Sequence, residues 1–162
     1  MKANRGIWVL LGLILAAAFA VERVEVTPAP DGNVTAEVQS VVNALQRAGY
    51  KALVKKDEDG APFVESGQGG YEFLVFFYGC ENGVNCDTVQ FYAGFDDHKA
   101  DLAKINSWNA DNRFGRAYLS EKGAARVEMD VDLEDGGMSP ALFEDNLEYW
   151  VAAMSKFAGF VY

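Results

Sequence analysis

The segment Tyr71-Glu72-Phe73-Leu74-Val75-Phe76-Phe77-Tyr78 restricts the fold more than any other in this 162-residue chain. Apart from Glu72 its residues are apolar or aromatic, at both odd and even positions. Such a run from Tyr71 to Gly79 predicts a central strand covered, at least in part, on each side. Asp87 to Phe95 reads as its partner. There the pattern alternates, with Val89, Phe91, Ala93 and Phe95 on one face and Thr88, Gln90 and Tyr92 on the other. Asn82-Gly83 between them is a hairpin-turn signal.

The rest of the pattern falls in place around this hairpin. Val38, Val41, Val42, Leu45 and Ala48 share one face of a helix predicted over Ala36 to Ala48, with Thr35 as its cap and Gly49 as its stop. Tyr50 to Lys56 reads as a strand, Asp57 to Gly60 as a turn, and Pro62 to Ser66 as a short strand placed at a sheet edge by its proline. Asp96-Asp97 is expected to cap a helix of about His98 to Trp108, with Leu102, Ile105 and Trp108 as its buried stripe. Arg116 to Ser120 and Ala125 to Leu133 form a second hairpin. Ser139-Pro140 opens a last helix whose apolar face is Phe143, Leu147, Trp150, Val151, Met154 and Phe157. The predicted fold is α+β: one antiparallel sheet in helix–strands–helix–hairpin–helix order.

Lys2 and Arg5 precede an uncharged stretch from Gly6 to Val21 that ends near Ala18-Phe19-Ala20. This is the layout of a secretory signal peptide cleaved after Ala20; the rival is a retained N-terminal membrane anchor, for which the stretch is short. The expected organisation is a signal peptide over residues 1–20, a flexible lead over 21–34, and one domain over 35–162. No membrane span is expected after cleavage, and the compartment is periplasmic or extracellular. Removing Lys2 and Arg5 takes the net charge from −10 to −12. That acidity disfavours nucleic acid as a partner, since phosphate binding needs a cationic face. In an oxidising compartment, Cys80 and Cys86 read as a structural disulfide across the base of the hairpin loop.

Chemistry is sparse. There is no Gly-x-Ser-x-Gly, and His98 is the one histidine, beside Asp97 without a nominated nucleophile. Two Cys and one His do not supply a zinc site. Gly67 to Gly70 precedes a strand where a nucleotide loop would open a helix, so it reads as a tight turn. Two candidate sites stand out. Glu128, Asp130 and Asp132 alternate on one strand face, a pattern able to bind a hard cation or serve acid–base work, although such a face is ordinarily solvated. Asn106, Trp108, Asn109 and Arg113 cluster at a helix end, as a binding patch or as a hydrogen-bond cluster tying the helix to the next strand.

Several of these segments together carry a resemblance. Gly79-Cys80 with Cys86, Val89 to Ala93, Ile105-Asn106-x-Trp108-Asn109, Arg113 to Tyr118, and Glu128-x-Asp130 before Gly136-Gly137 resemble the YbjN family, bacterial proteins described as sensory-transduction regulators. The resemblance spans about Thr35 to Phe157. It implies a fold similar to type III secretion chaperones and no defined reaction. Many of the family are cytoplasmic, whereas this chain carries an export signal. The expected function is therefore that of an exported, non-enzymatic interaction or regulatory module of the bacterial cell envelope. It would bind a protein or peptide partner, as a monomer or a homodimer, without a cofactor. The alternative is a small-ligand or metal-binding protein, or an enzyme, using the Glu128/Asp130/Asp132 face or the Asn106/Asn109/Arg113 patch.

Overall fold

The computed structural model describes residues 32–162. The expected signal peptide and almost all of the lead lie outside the described residues. Three helices, α1 (Val38–Arg47), α2 (Leu102–Asp111) and α3 (Pro140–Val161), accompany six strands: β1 (Leu53–Lys56), β2 (Pro62–Gln68), β3 (Tyr71–Tyr78), β4 (Thr88–Phe95), β5 (Arg116–Leu119) and β6 (Ala125–Asp132). The strands form one sheet in the order β1-β2-β3-β4-β6-β5, with every pairing antiparallel. The protein is thus the α+β fold expected from its sequence.

Strand alternation sets the inner face. Val64 opposes Val75, Val75 opposes Phe91, and Phe91 opposes Met129, so these side chains share one side of the sheet. Helix α3 lies across that side. Trp150 stacks on Phe91 at 5.7 Å and meets Phe73 edge-on at 6.0 Å, while Phe157 meets Phe95 at 5.6 Å. Val41 and Leu45 of α1 and Ile105 and Trp108 of α2 join the same core. Ser139 starts α3 as expected, its hydroxyl accepting from the Leu142 N–H with Pro140 in the first turn.

Strand β6 pairs with β4 over its whole length, and β5 is therefore pushed to the outside. The other edge is β1, so Pro62 does not mark an edge. It is the first residue of the second strand, opposite Lys56, where a missing N–H disturbs the ladder least. Thr35 does not cap α1. Glu37 holds that position without a side-chain bond, and the Thr35 N–H donates to the Ser40 hydroxyl. Helix α2 begins later than the Asp96-Asp97 pair implies. Asp101 is its cap, accepting from the Lys104 N–H at 2.8 Å, while Asp96 pairs with Arg126 of the neighbouring hairpin.

Candidate functional site

All three helices pack on the inner face, and among the described residues no element covers the other. On that outer face the alternation sets out Phe63 and Glu65 of β2, Leu74, Phe76 and Tyr78 of β3, and Gln90 and Tyr92 of β4. Arg126, Glu128, Asp130 and Asp132 of β6 and Arg116 and Tyr118 of β5 continue it. The aromatic members touch. Phe63 lies 5.7 Å from Phe76, and Phe76 lies 5.7 Å from Tyr92 in an edge-to-face contact. Tyr78 is 48% exposed, so the strip reaches solvent at one end. The dual apolarity of β3 was legible in sequence. Its second face, expected to be covered at least in part, is half-buried at Leu74 and Phe76 and exposed at Glu72 and Tyr78.

Charged side chains frame the strip. Lys51 and Lys55 pair with Glu65 near β1. At the far side Glu128 is buried, taking hydrogen bonds from the Arg116 guanidinium and the Tyr118 hydroxyl. Burial, and then the bond to Glu128, push the Tyr118 phenol well above its ordinary range, so it stays a donor. Both Glu128 oxygens are thereby engaged, which leaves it ill-suited as a general base. Gln90 bridges the strip to the acidic column. Its amide donates to Asp130 at 2.8 Å and its carbonyl accepts from the Tyr78 hydroxyl at 3.4 Å. Among the described residues no three His, Cys, Asp or Glu side chains gather as metal ligands, because Glu128, Asp130 and Asp132 are strung along β6.

Two clefts border the face. One, of about 480 Å³, lies between Asn109, Arg116, Tyr118 and Glu128. The other, of about 490 Å³, lies between the Asp59–Pro62 turn and Tyr78, Gly79 and Cys80. The disulfide shapes the second. The Cys80 and Cys86 sulfurs are 2.06 Å apart. Inside their loop, Asn82 and Gly83 both take positive φ in a turn that closes the Glu81/Val84 bridge. The Asn85 N–H then donates to Glu37, fastening the loop to the start of α1.

The residues singled out at the helix end do not form one patch. Trp108 is 1% exposed and packs edge-on against Phe157 at 4.9 Å, so it belongs to the core. Asn109 binds the backbone of Ala117 through both ends of its carboxamide. Asn106 is exposed, and Arg113 lies over the Phe114 ring at 5.4 Å. Asp130 stands apart on the outer sheet face. His98 is occupied too, with Nδ1 accepting from the Ala100 N–H and Nε2 against the Gly123 carbonyl.

Over the described residues, the sheet and its single helix layer define a two-layer α+β protein with an open antiparallel sheet. The chain belongs to the YbjN family: the family model, described as "Putative bacterial sensory transduction regulator", matches residues 37–161. The match spans every helix and strand of the fold. No curated protein matches the chain.

Proposed function

We propose that this protein is an exported, non-enzymatic regulatory module of the bacterial cell envelope that binds a protein or peptide partner on its outer sheet face. The observation that carries the proposal is the contiguous Phe63–Phe76–Tyr92 strip, with Leu74 and Tyr78, over which no helix lies among the described residues. An apolar surface of this kind, rimmed by charge, is typical of interaction sites. Membership of a regulatory family supports the same reading. The internal disulfide is compatible with an oxidising compartment, and the basic and apolar start of the chain with export.

Photo-crosslinking in cells tests it, with the reactive side chain placed at Phe76 or, as control, at Lys122 in the exposed β5–β6 turn. A discrete adduct at Phe76 that is absent at Lys122 is the expected outcome. Equal labelling at both positions removes the proposal. Intact-mass analysis of the product checks export, with Ala20 expected as the last residue removed.

A second reading has one observation in its favour: the cleft beside Arg116, Tyr118 and buried Glu128 has the size of a small-molecule site. Under it, thermal-shift screening of metabolites yields a ligand whose stabilisation is lost in Arg116→Gln.

A further inference from the structure

We infer that the occupant of the outer face is an extended peptide segment carrying Lys or Arg at alternate positions, its cations on Asp130 and Asp132 and its apolar side chains along Phe76 and Tyr92. The inference rests on the interaction reading above and specifies the chemistry of the partner.

Charge complementarity carries it. Each cation near this face already has an anion: Lys51 and Lys55 have Glu65, Arg116 has Glu128, and Arg126 has Asp96. Asp130 and Asp132 are exposed and form no ion pair among the described residues, although the Arg116 guanidinium, paired with Glu128, also attracts Asp130 at longer range. Asp130 accepts only from the Gln90 amide, and Asp132 from the Glu134 N–H. The face therefore joins an aromatic strip to a pair of carboxylates with no ion-pair partner of their own. Nearby, the Tyr78 phenol is raised chiefly by burial, with Glu128 and then Asp130 adding to the shift.

Geometry adds the spacing. Asp130 and Asp132 stand two residues apart on one strand, hence about 6.6 Å. An extended segment running alongside presents its alternate side chains at that same interval. Gln90 and Tyr92 of β4 oppose Asp130 and Glu128, so the acidic column and the aromatic strip are adjacent rows. An anionic segment would meet repulsion from this column and from a chain of net charge −10.

The test uses the chain as the cell processes it and short synthetic peptides alternating Leu with Lys, with Glu or with Ser. Affinity is read by fluorescence anisotropy and location by backbone amide shifts, at near-physiological ionic strength. The Leu/Lys peptide is expected to shift amides of β3, β4 and β6. The double variant D130N/D132N is expected to bind it about tenfold more weakly. Asparagine keeps the acceptor oxygen that Gln90 and Glu134 use, so this variant retains the fold. E144Q/D145N on the exposed side of α3 changes the net charge equally and is expected to keep full affinity. Equal weakening in both variants means bulk attraction and overturns the inference. Binding of the Glu or Ser peptide as tightly as the Lys peptide also overturns it, while leaving the interaction reading intact. No shift on the face with any peptide overturns it as well, and a Phe76 adduct in cells then still upholds that reading. A face already filled in the free protein, by a second copy seen as a dimer in light scattering or by the chain's own N-terminal lead, likewise overturns the inference.

Discussion

Asn109 takes the place of a missing strand. Its Nδ2 donates to the Ala117 carbonyl at 3.0 Å and its Oδ1 accepts from the Ala117 N–H at 2.9 Å, so the outward backbone of edge strand β5 is answered by one side chain. Asn109→Ala is expected to cost about 1–3 kcal/mol, because it strands two backbone groups. Asn106→Ala should stay within about 0.5 kcal/mol. Urea unfolding of the two variants, equally conservative by sequence, separates them. Nothing in the sequence distinguishes these asparagines, since the pairing depends on where β5 passes α2. Gly137 is constrained by its surroundings. Its φ is +79°, and a Cβ there would lie 2.1 Å from the Val34 carbonyl oxygen, where Val34 and Met138 exchange backbone hydrogen bonds. Gly137→Ala is expected to lower the urea midpoint by an amount equivalent to about 2 kcal/mol or more, through a backbone conformation and a contact that alanine cannot accept.

Helix α3 is the element on which the core depends most. Trp150, Met154 and Phe157 are fully buried against β3, β4 and α2, and Trp150→Ala is expected to cost about 3–5 kcal/mol in chemical unfolding. The helix was legible in sequence because its cap, its proline and its apolar period agree. Helix α2 was less so. The sequence offers Asp96, Asp97 and Asp101 as caps, and in the fold Asp101 caps the helix while Asp96 pairs with Arg126 of β6. The β3–β4 loop is held by the Cys80–Cys86 bond and by the Asn85–Glu37 hydrogen bond. Replacing both cysteines by serine should lower stability by about 2 kcal/mol in the chain-entropy picture for so short a loop. Reductant is expected to shift the wild-type protein, and not the variant, by the same amount. The sheet edges are blunted by different means, β5 by the Asn109 amide and β1 by Lys55 and Lys56.

At the scale of the whole molecule, stability should narrow at both ends of the pH range. Tyr50, Tyr78 and Tyr118 are each held above the ordinary phenol value, burial being the largest cause in all three. A phenol raised in the folded state contributes stability that is complete below its unfolded value of about 10 and lost as pH rises through the folded one. Melting temperature is therefore expected to fall above about pH 10, with these three of the seven tyrosines late in an ultraviolet phenolate titration. At the acid end, hydrogen bonds from Lys55 and then Lys51 hold the Glu65 carboxyl below its usual range. Its contribution is present above the unfolded value of about 4.3 and disappears as pH falls through the folded value. Lys55→Met should flatten that acid limb.

By itself the amino-acid sequence determined the α+β class, the inner-face alternation of β4 and β6, the start of α3 and the pairing of Cys80 with Cys86. These follow from local periods, caps and spacing, which any fold of the chain must satisfy. Only the tertiary structure decided that β6 inserts beside β4 and that all three helices gather on one side. Both outcomes depend on long-range packing, in which Phe91, Phe95 and Trp150 compete for one shared interior. That choice of side is what leaves Phe63, Phe76 and Tyr92 facing outward beside Asp130.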